Sequence, residues 1–197
     1  AMVGVVGNLM LWASGHDIGE GNREFIRNSL GEAFEETWQD SQKLVSEYRS
    51  LLFLPSDLAI EDDGTRKTIG LDDLPTNFPI YDIGIDTMMR LRPLIMEANC
   101  LLWNGPASYF EKSEFAYGTV EIMNMFTEAT GVTIVGGGHT SALFNQRGKS
   151  NQVSHNSTGG GSVLTMLSGG IMPVFESLEA SENKFRPLLR SLGISKE

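Results

Sequence analysis

Two runs of three glycines constrain this sequence most strongly, because each leads directly into a helix-like run. They occur within TIVGGGHTSAL (133–143) and SHNSTGGGSVL (154–164). Glycine lets the backbone approach a ligand without interference from a Cβ atom, and the start of a helix offers free N–H groups and about half a positive charge. Each segment therefore predicts a phosphate site where a helix begins. A plain turn without a ligand is the alternative for either segment alone, but two such segments favour a shared site.

Strand-like and helix-like runs alternate from residue 79 onward. Strands that alternate with helices form a parallel sheet covered by helices on both faces. We therefore predict an α/β fold with three layers, α/β/α, around a mostly parallel, Rossmann-like sheet, in a single domain over residues 1–197. The predicted strands lie at 80–81, 100–103 and 132–135, and the predicted helices at 86–98, 118–129, from about 140, at 162–167 and at 183–192.

The amino-terminal part of the sequence carries shorter signals. Apolar residues recur at helical spacing over 22–49, and Gly31 marks the point where this helix is expected to divide. The run IEDDGTRKTI (60–69) has Asp-Gly at its centre and predicts a β-hairpin. The other expectations are buried strand pieces at 2–6 and 51–54, an apolar helix at 8–13, and Asp86 as the N-cap of the helix that follows it.

Composition and charge argue against a nucleic-acid binder, a membrane-spanning protein and a disulfide-rich protein. The formal net charge is -10, with 15 Lys and Arg against 25 Asp and Glu, whereas a nucleic-acid binder needs a basic surface. No stretch approaches the roughly 18 apolar residues that a membrane span needs. The single cysteine, Cys100, excludes an internal disulfide framework and fits a reducing, cytoplasmic setting. Phosphate binding must then rely on backbone N–H groups, a metal ion or a basic partner surface.

A third motif, WNGPASYFEKSEF (103–115), begins in a predicted strand. Its Asn-Gly-Pro sequence at 104–106 predicts a turn at the carboxyl end of that strand, which is where parallel sheets bind their ligands. Glu111 is a candidate for a hydrogen bond to a ribose hydroxyl, although a lone carboxylate is more often a solvated surface group. His139, which follows the first glycine run, is a candidate for a phosphate contact or for capping its helix.

Taken in order, these segments resemble the carboxyl-terminal, nucleotide-binding domain of phosphoglycerate kinases. The resemblance rests on GNLMLWASGHDIGEGN (7–22), LPSD (54–57), DIG (82–84), WNGPASYFE (103–111), FAYGT (115–119), ATGVTIVGGGHTS (129–141) and SHNSTGGGSVL (154–164). It implies phosphoryl transfer between ATP and 3-phosphoglycerate, giving ADP and 1,3-bisphosphoglycerate, with Mg²⁺, in glycolysis and gluconeogenesis. The histidine in GGGHTS makes the sequence similar to archaeal members in particular.

The resemblance also implies roles for individual residues. Gly4, Ile80 and Tyr81 would flank the adenine, Pro106 and Phe110 would line its pocket, and Glu111 would hold the ribose. Gly138, His139 and Thr140 would contact the nucleotide phosphates, in a binding set that also includes Asn104, Gly136 and Gly137. Gly159, Gly160 and Gly161 would be the catalytic residues, which stabilise the transferring phosphoryl group.

The sequence departs from the family pattern in ways that change the expected activity. The lysine-bearing GGAK–DK segment is absent, and so is the basic amino-terminal domain that binds 3-phosphoglycerate. We therefore expect this chain alone to be inactive or nearly so. His139 replaces the aspartate that is usual on the metal side of the nucleotide, and ASY (107–109) replaces smaller residues. An apolar surface uncovered by a missing first strand would favour self-association.

Two other interpretations stay open on the sequence alone. One is a truncated or divergent module that binds nucleotide without catalysis, which a genuine start at Met2 would favour. The other is a different doubly wound enzyme, such as a nicotinamide dehydrogenase, which requires G-x-G-x-x-G and an acidic residue about 20 positions later. That fingerprint is missing, which disfavours the dehydrogenase.

Overall fold

The computed structural model describes residues 1–192. Most of this chain is helical, in agreement with the helical spacing of its apolar residues. The helices are α1 (Gly4–Ala13), α2 (Glu20–Leu30), α3 (Phe34–Tyr48), α4 (Ile85–Glu97), α5 (Tyr117–Glu128), α6 (Gly138–Gln146), α7 (Gly160–Leu167) and α8 (Pro173–Ser191). No helix in this described part is long and apolar enough to cross a membrane.

The strands form two separate three-stranded sheets with different topologies. One sheet is antiparallel, in the order β2-β1-β3, and the other is parallel, in the order β4-β5-β6. The strands are β1 (Asp57–Asp62), β2 (Thr65–Gly70), β3 (Ile80–Ile83), β4 (Cys100–Asn104), β5 (Val132–Gly136) and β6 (His155–Ser157). The parallel sheet confirms the α/β prediction, whereas the antiparallel sheet makes the β-structure more mixed than the alternation of elements indicated.

The register of the parallel sheet brings the three predicted motifs to one edge. Asn104 at the end of β4 pairs with Gly136 at the end of β5, and Gly136 pairs with Ser157 at the end of β6. Each motif contains the end of its strand and the turn that follows it. Because the carboxyl ends of parallel strands lie side by side, the Asn-Gly-Pro turn and both glycine runs lie next to one another.

The predicted hairpin is confirmed, and its turn explains why the Asp-Gly signal worked. β1 and β2 pair from Asp57 opposite Gly70 to Asp62 opposite Thr65. The two residues of the turn, Asp63 and Gly64, both have positive φ angles, of 48° and 80°. Two-residue hairpin turns of type I′ need positive φ angles at both central positions, which Asp and Gly tolerate better than most residues.

The two strand pieces predicted at 2–6 and 51–54 are wrong. Gly4 begins α1, so the apolar residues that follow it belong to a helix. Leu51 is 78% exposed, and residues 52–56 run without regular structure. One backbone hydrogen bond joins the two segments, from Met2 N to Phe53 O at 2.9 Å. A strand needs a continuous ladder with a neighbour, and the apolar pattern alone did not reveal that these runs lack one.

Gly31 divides the long helical region as predicted. It has φ +53° and lies in a short 3-10 turn, Gly31–Ala33, between α2 and α3. The last helix is longer than predicted, because α8 begins at Pro173 instead of near residue 183. Within residues 1–192, α8 has no buried residue, and its apolar side chains, such as Phe175 and Leu178, are exposed.

The N-cap of α4 comes from a different part of the chain than predicted. Asp86 lies inside the helix, and Gly84 occupies the cap position without a side-chain hydrogen bond. Asp57 of β1 supplies the missing acceptors: its carboxylate accepts hydrogen bonds from Asp86 N at 3.0 Å and Thr87 N at 2.8 Å. The carboxylate also accepts a bond from Thr87 Oγ1 at 2.6 Å. A buried carboxylate therefore satisfies the free N–H groups of the helix start.

The core forms two clusters, and one of them supports the parallel sheet. Trp103 of β4 and Val135 of β5 pack with Phe126 of α5 and Phe144 of α6, all of them buried. Burying a large apolar side chain contributes roughly 1.5–3 kcal/mol. The edge of the sheet that carries the glycine turns is thus held in position by a well-packed hydrophobic core. The second cluster, which includes Leu58 of β1, joins α1 and α2 to the antiparallel sheet.

Candidate functional site

The two glycine turns touch each other. A Cβ atom placed on Gly160 would lie 2.4 Å from the backbone N of Gly137 and 2.4 Å from Oδ1 of Asn104. Gly137 has φ +99°, a conformation that other residues rarely adopt. Glycine is therefore needed at both positions for the turns to meet. Asn104 lies at the junction, and so the ends of all three parallel strands contribute to one small region.

Each glycine turn opens a helix whose first N–H groups lack intrahelical acceptors. α6 begins at Gly138 with Gly137 in the cap position, and α7 begins at Gly160 with Gly159 in the cap position. Neither cap residue has a side chain to bond these groups. The first turn of a helix leaves its N–H groups available, and the helix dipole favours an anion beside them. The pairing of two such starts is suited to a ligand with more than one phosphate.

The first turn of α6 also contains a buried hydroxyl group. Thr140 is 1% exposed, and its Oγ1 has no hydrogen-bond partner among residues 1–192. A buried hydroxyl that is not hydrogen-bonded costs free energy, on the order of 1–3 kcal/mol. His139, by contrast, is exposed. On the second turn, Ser157 Oγ accepts a hydrogen bond from Gly159 N at 3.1 Å, which fixes the approach to α7.

The Asn-Gly-Pro turn continues into a loop that hydrogen bonds to Thr119 of α5 hold in place. Ala107 N donates a hydrogen bond to Thr119 Oγ1 at 3.1 Å, and the Ser108 and Thr119 hydroxyls lie 2.6 Å apart. Gly4 packs against the top of the same loop, because a Cβ on Gly4 would lie 2.7 Å from Pro106 O. Gly4 and Pro106 therefore lie together, as the prediction for the base pocket requires, and Thr119 holds them in place.

The aromatic residues near this loop face different ways. Phe110 is partly buried and packs against the core cluster of the parallel sheet. Tyr109 is 45% exposed, and its ring centroid lies 5.1 Å from that of Tyr81. Tyr109 N also donates a hydrogen bond to Tyr81 O at 2.7 Å. Ile80, the neighbour of Tyr81, is buried in the second core cluster, and Glu111 is exposed.

Asp82 is a buried charged residue that the site prediction missed. It accepts hydrogen bonds from the backbone N of Gly118, at 3.2 and 3.0 Å, and from that of Ile83, at 2.8 Å. Arg66 NH2 lies 3.4 Å from its carboxylate. Burial raises the pKa of Asp82 to about 6, against the opposing effects of the bonds from Gly118, Ile83 and Arg66. Asp82 belongs to the DIG motif (82–84) and Gly118 to the FAYGT motif (115–119), but neither motif indicates that the two residues are in contact.

The site thus contains helix N–H groups, one free hydroxyl and an amide side chain. In the described part of the chain, no group of three His, Cys, Asp or Glu side chains could together hold a metal ion. The strand ends bring two helix starts with free N–H groups into contact, and the loop after β4 adds exposed aromatic surface through Tyr109. Such an arrangement suits a ligand that carries phosphates at one end and an aromatic group at the other.

The comparisons with known proteins agree with this geometry. The family model for phosphoglycerate kinase matches residues 1–170. The chain belongs to the phosphoglycerate kinase family. The resemblance inferred from the ordered motifs is thereby confirmed, and so is the fold that it implied.

The chain spans less than half the length of the relatives that it matches. A phosphoglycerate kinase of Thermoplasma acidophilum is 35% identical over 182 residues, which cover 92% of this chain and 44% of that protein. One of Methanothermus fervidus is 36% identical over 181 residues, which cover 92% and 43%. The crystal structure of phosphoglycerate kinase from Pyrococcus horikoshii OT3 has a TM-score of 0.83 at 31% identity, and the match covers 93% of this chain and 45% of that one.

Proposed function

We propose that this chain is the nucleotide-binding part of a phosphoglycerate kinase, in a single domain over residues 1–197. In the whole enzyme it would hold ATP or ADP while phosphate moves between ATP and 3-phosphoglycerate, to give ADP and 1,3-bisphosphoglycerate in glycolysis and gluconeogenesis. The observation that carries this proposal is the contact between the two glycine turns, where Gly137 and Gly160 bring two helix starts together. Membership of the phosphoglycerate kinase family supports this reaction for the whole enzyme.

The proposed roles follow from the groups that each segment offers. The N–H groups at the start of α6, at Gly138, His139 and Thr140, would bind the nucleotide phosphates, with Gly136 and Asn104 beside them. The start of α7, at Gly159 to Gly161, would bind the phosphoryl group in transfer. A transferring phosphoryl group spreads negative charge over its oxygens, and fixed N–H dipoles stabilise that charge without reorganising. Gly4, Pro106 and the Tyr81 region would hold the base, and Glu111 the ribose.

The chain alone is proposed to be catalytically incompetent. The groups that meet at the turns are uncharged side chains, backbone N–H groups and one histidine, whereas phosphoryl transfer also needs cationic clamps. Loss of such clamps costs several orders of magnitude in rate. The chain covers 44% of the length of the phosphoglycerate kinase of Thermoplasma acidophilum. We therefore propose that 3-phosphoglycerate binds only when the amino-terminal part of the whole enzyme is present.

Magnesium fits the residues of this site poorly. Mg²⁺ in phosphate sites is usually held by one or two carboxylates together with the phosphates. The first turn of α6 offers the imidazole of His139 and the hydroxyl of Thr140 instead of a carboxylate. We therefore derive no step through a protein-bound magnesium ion, and assign the phosphate contacts to the helix N–H groups.

Two further parts of the proposal concern the setting of the chain. The single cysteine supports a cytoplasmic location. Self-association is proposed through β4, which lies at the edge of its sheet and carries exposed Cys100 and Leu102. Edge strands are templates for pairing with another chain. Light scattering over a range of concentrations tests this, and a monomer mass at all of them would exclude it.

Calorimetry with ADP tests the proposed function directly. The 197-residue chain is expected to bind ADP measurably at millimolar concentrations, and to show no turnover in a coupled kinase assay. Gly138→Ala adds a methyl group where no atom lies within 4 Å, so it leaves the packing unchanged but obstructs the approach of a phosphate. Gly21→Ala, which also has no atom within 4 Å, is the control in α2. Equal ADP binding by both variants would refute the assignment of the phosphates to α6.

A further inference from the structure

A cavity of about 500 Å³ lies between the end of α1, the segment before β1 and α4. Its volume falls in the range of small-molecule sites, about 300–1,000 Å³. None of the described residues that line it belongs to the glycine turns or to the loop after β4. We call it the arginine cavity. Most of its wall is leucine, and its polar and charged lining comes from His16, Arg49, Ser50, Ser56 and Arg90.

Both arginines are positioned at the wall of the cavity without an acidic partner. Arg90 Cζ lies 5.0 Å from the centroid of the Phe53 ring, and Arg49 Nη1 donates a hydrogen bond to Leu52 O at 3.4 Å. The two guanidinium groups thus lie beside adjacent residues of the segment before β1. In the described part of the chain, neither arginine forms a salt bridge. Both are therefore available to an anion.

The acidic residues next to the cavity in the sequence have other partners. Asp17 follows His16, and its carboxylate pairs with Arg23. Asp57 follows Ser56, and its carboxylate accepts hydrogen bonds from the start of α4. Among the residues that the structure describes, no Asp or Glu lines the arginine cavity. On a chain with a formal net charge of -10, the cavity is a local region of positive charge.

The rest of the wall suits an apolar group. Leu51 and Leu94 are 78% and 54% exposed, so a ligand that covered them would remove apolar surface from water. Ser56 also lines the cavity, and its buried Oγ has no hydrogen-bond partner within residues 1–192. Buried polar groups are normally hydrogen-bonded, so this hydroxyl is a further group for a ligand to satisfy.

We propose that the arginine cavity binds a small molecule with an anionic head, a carboxylate or a phosphate, on an apolar body. The guanidinium groups of Arg49 and Arg90 bind the oxygens of the head, because the planar fork of arginine matches both kinds of anion. The leucine side chains and Phe53 cover the body. The cavity shares no described residue with the proposed nucleotide site, so this site goes beyond the proposed function and does not depend on it.

Isothermal titration calorimetry with octanoate, octyl phosphate, octanol and acetate tests the proposal on the 197-residue chain. At least one of the two octyl anions is expected to bind at millimolar concentrations. Octanol, which lacks the charge, and acetate, which lacks the apolar body, are each expected to bind at least about tenfold more weakly. ADP is expected to leave the affinity for the octyl anion unchanged.

Four variants locate the binding. Arg49→Gln and Arg90→Gln are each expected to weaken binding of the octyl anion by about 10- to 100-fold, the range for loss of a hydrogen bond to a charged group. Leu94→Gln, at an exposed position of α4, should weaken it by about 3- to 10-fold. Arg92→Gln is the matched control: it lies on the same helix, outside the cavity, with its guanidinium paired to Glu128. Its affinity should change by less than about twofold.

The outcomes separate this site from the nucleotide site. Absence of binding by both octyl anions overturns the proposal, and so does equal binding of octanol or acetate. An equal loss of affinity in Arg90→Gln and Arg92→Gln overturns it as well, because the charge of the cavity would then not matter. Competition between ADP and the octyl anion would place that anion at the glycine turns and exclude the cavity. Binding of the octyl anion by a chain that does not bind ADP would support the cavity while the proposed function fails.

Discussion

The contact between the glycine turns predicts opposite effects for two neighbouring substitutions. Gly160→Ala places a methyl group 2.4 Å from Gly137 N and 2.5 Å from Gly137 Cα. Both atoms belong to the backbone, so no side-chain rotation relieves the overlap. Gly161→Ala places the same methyl group in a space with no atom within 4 Å. The two variants differ by one position in the same helix and add the same atoms.

The magnitudes follow from these distances. Ordinary contact for a Cβ atom begins at 3.4 Å, so Gly160→Ala must separate the turns by about 1 Å, and overpacking of this kind costs about 1–3 kcal/mol. Gly161 lies within α7, where replacing glycine by alanine stabilises a helix by about 0.5–1 kcal/mol. For a chain of this size each kcal/mol shifts the melting temperature by about 2–4 °C.

Differential scanning calorimetry of the two variants checks the reasoning. We expect Gly160→Ala to lower the melting temperature by about 2–12 °C, and Gly161→Ala to raise it by about 1–4 °C. Calorimetric titration with ADP should show weaker binding by Gly160→Ala, because the two helix starts no longer meet. The reasoning is refuted if Gly160→Ala melts at the temperature of the unaltered chain, or if both variants shift in the same direction.

Three other predictions concern buried polar groups. Thr140→Val removes an unpaired hydroxyl, so urea unfolding should show a free energy of unfolding higher by about 1 kcal/mol. Calorimetry should show weaker ADP binding by the same variant, and a loss of stability would contradict the prediction. Asp57→Ala should lower the free energy of unfolding by about 2 kcal/mol, whereas Asp86→Ala should change it by less than about 0.5 kcal/mol; equal losses would show that Asp57 is not the cap. The pKa of Asp82 is raised to about 6 from about 3.9 in the unfolded chain. Its contribution to the free energy of unfolding is therefore greatest below pH 4 and about 3 kcal/mol smaller above pH 6. Asp82→Asn should flatten the curve of stability against pH over this range, and an unchanged curve would contradict the raised pKa.

The sequence predicted well the elements whose signals are local. The glycine runs, the alternation from residue 79 and the Asp63–Gly64 turn each describe a conformation that a short segment adopts by itself, and all three elements are present. The strand pieces at 2–6 and 51–54 failed because an apolar run does not say which neighbour will complete its ladder.

Carboxylates that contact distant parts of the chain were harder to predict. Asp57 caps a helix that begins almost thirty positions later in the chain, and Asp82 joins β3 to the start of α5. Neither carboxylate has a sequence pattern that names its partner. The outward direction of Tyr109 and the inward direction of Phe110 were equally invisible, because adjacent aromatic residues in a loop show no periodicity from which their facing could be read.

The contact of Asn104, Gly137 and Gly160 also makes the proposed nucleotide binding depend on the pairing of β4, β5 and β6. No single segment contains the proposed phosphate site, so a nucleotide at that site would bind only chains in which these strands are paired. A ligand at about 100 times its Kd stabilises such chains by about 2.7 kcal/mol. Amide hydrogen exchange should therefore slow in β4 to β6 when ADP is added, while opening of the β1–β2 hairpin continues at its own rate. The nucleotide would therefore protect the parallel sheet from local unfolding and leave the antiparallel sheet unprotected.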